Sequence, residues 1–172
     1  MRLRAEEIKK GLLENDLDLG ITFLPIEDEE IEAIPLFTEE LSLAVALDHP
    51  LAELKEVETK ILEDIPTILL PENYFLRKLV DTYCTEIGIT LKPTIEMSTL
   101  ESLVQMVSKG IGGTILPAPY LDDLNSRKLV KIKLMNPTPY RKIGFTYRKN
   151  KFMCTVTKAF IAQITEISKS IQ

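Results

Sequence analysis

Between Pro93 and Leu124 the hydrophobic period changes three times, and this switching constrains the fold more than any single residue does. Pro93–Met97 reads as a strand. A helix over 99–109 follows, with Leu100, Leu103, Val104 and Val107 at i, i+3, i+4 and i+7. Ser98 or Thr99 caps it, and Glu101 or Ser102 lies in its first turn. Three of the chain's seven glycines, Gly110, Gly112 and Gly113, then fall within four positions. Gly113–Leu116 is a strand again, and Pro117 and Pro119 open a short helix through Leu124.

The same alternation runs through the rest of the chain. A helix over 5–14 leads to a strand over 17–23, and two further strands cover 34–37 and 41–47. After His49-Pro50 the pattern restarts with a strand at 67–70 and a helix at 74–87. Strands at 129–134 and 143–147 precede a last helix, about 153–170, that aligns Val156, Phe160, Ile164, Ile167 and Ile171. Strand–helix alternation of this kind predicts an α/β protein with a mostly parallel sheet.

The glycine cluster is not a phosphate cradle. A phosphate loop follows a strand and opens a helix, because the helix N-terminus supplies the free N–H groups. Here the order is reversed: helix, glycines, strand. Gly110 suits a helix-ending left-handed residue, and Gly112 and Gly113 let the chain enter the sheet closely packed.

No catalytic constellation stands out. His49 is the single histidine and reads as a turn residue, so there is no His pair for a metal and no Ser–His elbow. Cys84 and Cys154 have no metal-like or C-x-x-C spacing and read as two buried, reduced thiols. The acidic pairs Glu29-Glu30, Glu39-Glu40 and Asp122-Asp123 read as solvated charge. No enzymatic activity, cofactor or metal is expected. The charged start and the lack of a long apolar run predict a cytoplasmic protein without a membrane segment.

Net charge is −5, yet Asn125 to Lys158 contains no Asp or Glu and ten Lys and Arg residues. A nucleic-acid surface is one reading, and strands and a helix with basic solvated faces is the other. An acidic chain without Trp is a poor candidate for gripping phosphate by itself.

Four segments in order carry a resemblance: Leu12–Phe23, Ile34–Val45, Asp48–Ala52 and Leu103–Pro117. Together they resemble the effector-binding (substrate-binding) domain of LysR-type bacterial transcriptional regulators, most closely the subgroup that includes the cyanate-operon regulator. The resemblance implies an α/β, two-lobed type 2 periplasmic-binding-protein-like fold with a hinge. Lobe I is 1–46 plus 143–172, and lobe II is 47–142, with crossings near His49-Pro50 and Arg141-Lys142. Relative to the family pattern, a winged helix-turn-helix, a linker helix and the first strand–helix–strand of lobe I are missing. The chain is thus expected to be N-terminally truncated and lobe I incomplete.

The implied function is sensing of a small-molecule effector, a small anion, in the inter-lobe cleft. DNA is contacted only through the absent N-terminal domain. The alternative is a solute-binding protein of a transporter. Carried over by position, the effector-binding residues are Thr22, Phe23, Ser98, Thr99, Leu116 and Pro117, all at strand ends, where open α/β sheets bind ligands. The Ser98 and Thr99 hydroxyls beside a helix N-terminus suit a small anion. Self-association is expected through lobe I, where Leu17, Leu19 and Ile21 with Ile8 and Leu12 border an unfilled groove.

Overall fold

The computed structural model describes residues 5–124 and 128–171, with side chains as far as Ser168. In chain order the elements are α1 (Ala5–Leu13), β1 (Gly20–Leu24), β2 (Ile31–Ala46), β3 (Glu56–Glu58), β4 (Ile68–Leu69), α2 (Phe75–Glu86), β5 (Ile95–Glu96) and α3 (Leu100–Val107). They continue with β6 (Thr114–Pro117), α4 (Ala118–Asp123), β7 (Leu129–Met135), β8 (Tyr140–Arg148) and α5 (Thr155–Ile171). A 3-10 turn over Thr59–Glu63 follows β3.

The chain divides into two compact units. The first is Met1–Glu39 with Arg141–Gln172, and the second is Glu40–Tyr140. The first crossing therefore precedes the one expected near His49-Pro50. The reason is that β2 is one strand rather than two, and its Leu41–Ala46 half pairs with β6 and β7 of the second unit. His49 lies in a turn of that unit, where its Nδ1 accepts the Leu51 amide at 3.2 Å.

In the first unit β1 pairs antiparallel with β8, register Thr22 opposite Gly144 and Phe23 opposite Ile143. Alternation sends Gly20 and Thr22 to one face and Ile21 and Phe23 to the other. Helix α1 covers the Gly20 face so closely that a Cβ there would stand 2.3 Å from Ile8 Cγ2. The opposite face holds a small core of Leu36, Phe145 and Ile161. Helix α5 packs there through Ile161 and Ser168, whose hydroxyl donates to the Leu36 carbonyl at 3.4 Å.

The stripe expected on α5 meets this core only in part: Ile164 packs against it and the Phe160 ring lies 6.0 Å from that of Phe145, while much of the stripe stays exposed. Val156 is 77% exposed, Phe160 47% and Ile167 46%. The α5 helix packs on a sheet by an edge of its apolar arc, because a sheet this narrow offers contact to only part of it. Cys154, just before α5, is exposed, contrary to the sequence expectation, while Cys84 on α2 is buried. Cys154 lies in the irregular segment before α5, where its neighbour Met153 is the side chain that packs against the small core.

The second unit carries the larger core, built from β2, β4, β6 and β7 with α2 and α3. Leu41, Leu43, Val45, Leu103, Val107, Leu116, Ile132 and Leu134 are all at most 1% exposed within it. Buried Arg77 is satisfied by Asp81 at 2.9 Å, Glu96 at 2.9 Å and the Leu70 carbonyl at 3.0 Å, as a buried guanidinium requires.

The mostly parallel sheet expected from the alternation is not found among the described pairs. The β1–β8, β2–β6 and β2–β7 ladders are antiparallel. Parallel pairing is confined to β3–β7, β4–β5 and the Thr67–Gly113 bridge. Helices α2 and α3 act as crossovers only in the 67–113 stretch. Elsewhere the strands reach their neighbours without a crossover helix, and such connections favour antiparallel neighbours.

Candidate functional site

The six residues expected to bind an effector fall into three pairs. Thr22 and Phe23 lie near the carboxyl end of β1 in the first unit. Thr22 is 6% exposed and shares the α1-covered face. Phe23 projects to the other face, where the Arg141 guanidinium carbon stands 4.7 Å from its ring centroid. Arg141 is in turn held by Glu39, with Nε and Nη2 each 2.6 Å from one carboxylate oxygen. The stretch Glu39-Glu40 is therefore not simply solvated charge: Glu39 pairs with Arg141 and Glu40 with Lys133 at 3.2 Å.

Ser98 and Thr99 precede α3 in the second unit. Thr99 is the cap: its hydroxyl oxygen accepts the Ser102 amide at 3.1 Å and its O–H donates to the Ser102 hydroxyl at 2.9 Å. The Ser98 carbonyl accepts the Tyr74 hydroxyl at 2.9 Å, which fixes the chain entering the helix. The α3 N-terminus thus has an ordered hydroxyl pair beside its first-turn N–H groups, a setting that favours negative charge.

Leu116 and Pro117 close β6, opposite Ser42 and Leu41 of β2. Both are buried. Leu116 belongs to the second unit's core, so its side chain is taken up by packing. Ahead of them the glycine cluster does what its order implies. Gly110 has φ +73°, and a Cβ on Gly112 would lie 2.4 Å from the Pro66 carbonyl oxygen. Backbone meets backbone there, and no phosphate cradle is formed.

Five of the ten basic residues in the 125–158 stretch are paired with acids from outside it. Lys131 pairs with Asp122, Lys133 with Glu40, Arg141 with Glu39, Arg148 with Glu30 and Lys151 with Asp18. Asn125, Ser126 and Arg127 lie outside the described residues. Charge interleaved in this way lacks the one-sign stripe of a nucleic-acid surface. Among the described residues no three His, Cys, Asp or Glu side chains cluster as a metal site would need, and no helix is long and apolar enough to cross a membrane.

Sequence reasoning missed the Arg141–Glu39 pair beside Phe23. Arg141 was visible only as a crossing point, and Glu39 only as half of an acidic pair.

Two α/β units linked by two crossing segments are the architecture of periplasmic-binding-protein-like domains. Residues 2–168 match the LysR substrate binding domain, and the chain belongs to that family. It is an effector-binding domain of the sort carried by LysR-type regulators, and the alternative of a transporter's solute-binding protein is not favoured. It is 31% identical over 149 residues to a probable hydrogen peroxide-inducible genes activator of Mycobacterium avium, covering 86% of this chain and 48% of that protein. It is 33% identical over 133 residues to the DNA-binding transcriptional dual regulator OxyR of Escherichia coli K12, covering 77% of this chain and 44% of that one. The effector-binding domain of QuiR, solved in complex with shikimate, matches with a TM-score of 0.82 at 26% identity, over 96% of this chain and 78% of that one. The chain spans about half the length of the curated relatives it matches.

Proposed function

We propose that the chain is the sensing part of a cytoplasmic transcriptional regulator and that its effector is a small anion. In this reading the anion is held by Phe23 and its neighbours on the first unit, and by Ser98, Thr99 and the ends of β6 on the second. Binding biases how the two units are disposed, and this controls DNA binding by a winged helix-turn-helix outside this chain. The observation that carries the reading is the ordered Thr99–Ser102 hydroxyl pair at the α3 N-terminus, in a chain of this family. QuiR, whose effector-binding domain was solved with the carboxylate shikimate, supports the anionic class.

The domain senses and does not turn over its ligand. It works as an oligomer, with the first unit supplying the contact. The segments Leu12–Phe23, Ile34–Val45, Asp48–Ala52 and Leu103–Pro117 are the support for placing it beside the cyanate-operon regulator within the family. A thermal-shift screen of this chain against small carboxylates, phosphate and their neutral analogues tests the reading. An anion is expected to raise the melting temperature, and Thr99→Ala with Ser98→Ala to remove the effect. Stabilisation by neutral analogues alone, or consumption of the bound anion, would overturn it.

A further inference from the structure

Arg141 opens the first unit's share of β8, beside the carboxyl end of β1. It is withdrawn from water: its side chain is 17% exposed and that of Glu39 16%. Its flat guanidinium face lies over the Phe23 ring at 4.7 Å, a cation–π arrangement that fixes the plane of the fork. Its Nε and Nη2 both turn to a single Glu39 oxygen, and Nη1 has no partner among the described residues. The fork is therefore half used.

A guanidinium held flat on an aromatic ring with part of its donor edge open is a receptor for a planar anion. Arginine matches carboxylate geometry with two parallel N–H···O bonds, and such bonds are stronger than neutral ones. Glu39 shows that a carboxylate fits this seat. Phe23, which fixes the guanidinium plane, was reached separately from the sequence as a strand-end residue.

We propose that Arg141 is the anion-recognising residue of the effector site, that the effector is a small carboxylate, and that Glu39 is a built-in competitor for the same fork. This rests on the effector-binding reading above. Glu39 is the last residue before the chain leaves the first unit, and Arg141 the first after it returns. The pair thus ties together the two crossing segments, and a ligand that takes the fork from Glu39 releases that tie.

The test is isothermal titration of this chain with malonate and shikimate as carboxylate probes and inorganic phosphate as the contrast, at constant ionic strength. The five proteins are wild type, Arg141→Gln, Arg141→Lys, Glu39→Gln and Thr99→Ala, each checked by circular dichroism. Carboxylate binding is expected to weaken at least about tenfold in Arg141→Gln and to tighten about tenfold in Glu39→Gln, where the competitor's charge is gone. Arg141→Lys keeps the charge without the fork and falls between, so the question stays answerable if Arg141→Gln does not fold. A purely structural ion pair predicts the opposite for Glu39→Gln: weaker binding, in step with Arg141→Gln. That result overturns the inference, as does a preference for phosphate over both carboxylates. Unchanged binding in Arg141→Gln together with loss in Thr99→Ala overturns the role of Arg141 and leaves the effector reading standing. No binding of any probe to wild type removes both.

Discussion

Cys84 and Cys154 read alike in the sequence, and their surroundings set them apart. Cys84 is buried on α2, and burial pushes its thiol up to about 11. Cys154 is exposed, and the Thr157 hydroxyl 3.3 Å from its sulfur holds its thiol below the ordinary cysteine range. The thiolate is the reactive form, and a raised thiol in an apolar core is inert. In the native chain at pH 8, iodoacetamide is expected to alkylate Cys154 while Cys84 reacts only after unfolding in urea. Peptide mass spectrometry reads both sites, and comparable native rates would contradict the environments described. Neither environment was legible, because Cys154 sits among residues that look like the start of an apolar helix. Arg141 and Glu39 were hidden for another reason: they are 102 positions apart, and no local pattern joins them. The strand around Phe23 was legible because a strand can be read from one short stretch.

At the scale of elements, the run from α3 to β6 shows how far local rules reach. Gly110 takes the left-handed φ of +73° that ends the helix, and Gly112 lies against the Pro66 carbonyl. The sequence predicted both roles from the order helix, glycines, strand. The two glycines are expected to respond differently to alanine. Gly112→Ala forces a Cβ against backbone that cannot move aside, an overpacking that costs about 1–3 kcal/mol. Gly110→Ala meets only the Asp48 carboxylate at 3.8 Å and costs about 1 kcal/mol for the left-handed backbone. Urea unfolding of each variant checks the order, and a larger loss at Gly110 would show that the close approach at Pro66 does not matter. Elements whose partners lie far away were less legible. Strand β2 looked like two strands because Glu39-Glu40 interrupts its apolar run, yet each acid is paired across to another strand. Strand β3, Glu56-Val57-Glu58, is too short and too charged to show a period; it is defined by its parallel ladder with β7, Val57 opposite Leu134.

For the molecule as a whole, the question is what covers the outer edge of the first unit. Strand β1 pairs with β8 on one side, and among the described residues it has no strand on the other. Beside that edge lies a groove of about 500 Å3, with Leu17, Leu19, Ile21, Val156 and Phe160 among its lining residues. Ile21 is 50% exposed and Val156 77%. Leu12, expected at this groove, is instead fully buried, and Ile8 packs against Gly20. The apolar face is therefore built by β1 and α5. Unpaired strand N–H and C=O groups next to exposed apolar side chains favour addition of another strand. The occupant proposed here is a second copy of this chain. Its solution mass at low micromolar concentration is expected to exceed the 19.5 kDa of one chain. Ile21→Lys places a charge on the edge strand at a side chain that is 50% exposed, beside Phe145 but with an open path to water, so it is expected to give a folded monomer. Sedimentation of both proteins, with circular dichroism on each, decides the matter. A wild-type monomer, or an Ile21→Lys variant that keeps the higher mass, would show that this edge is not where two copies meet.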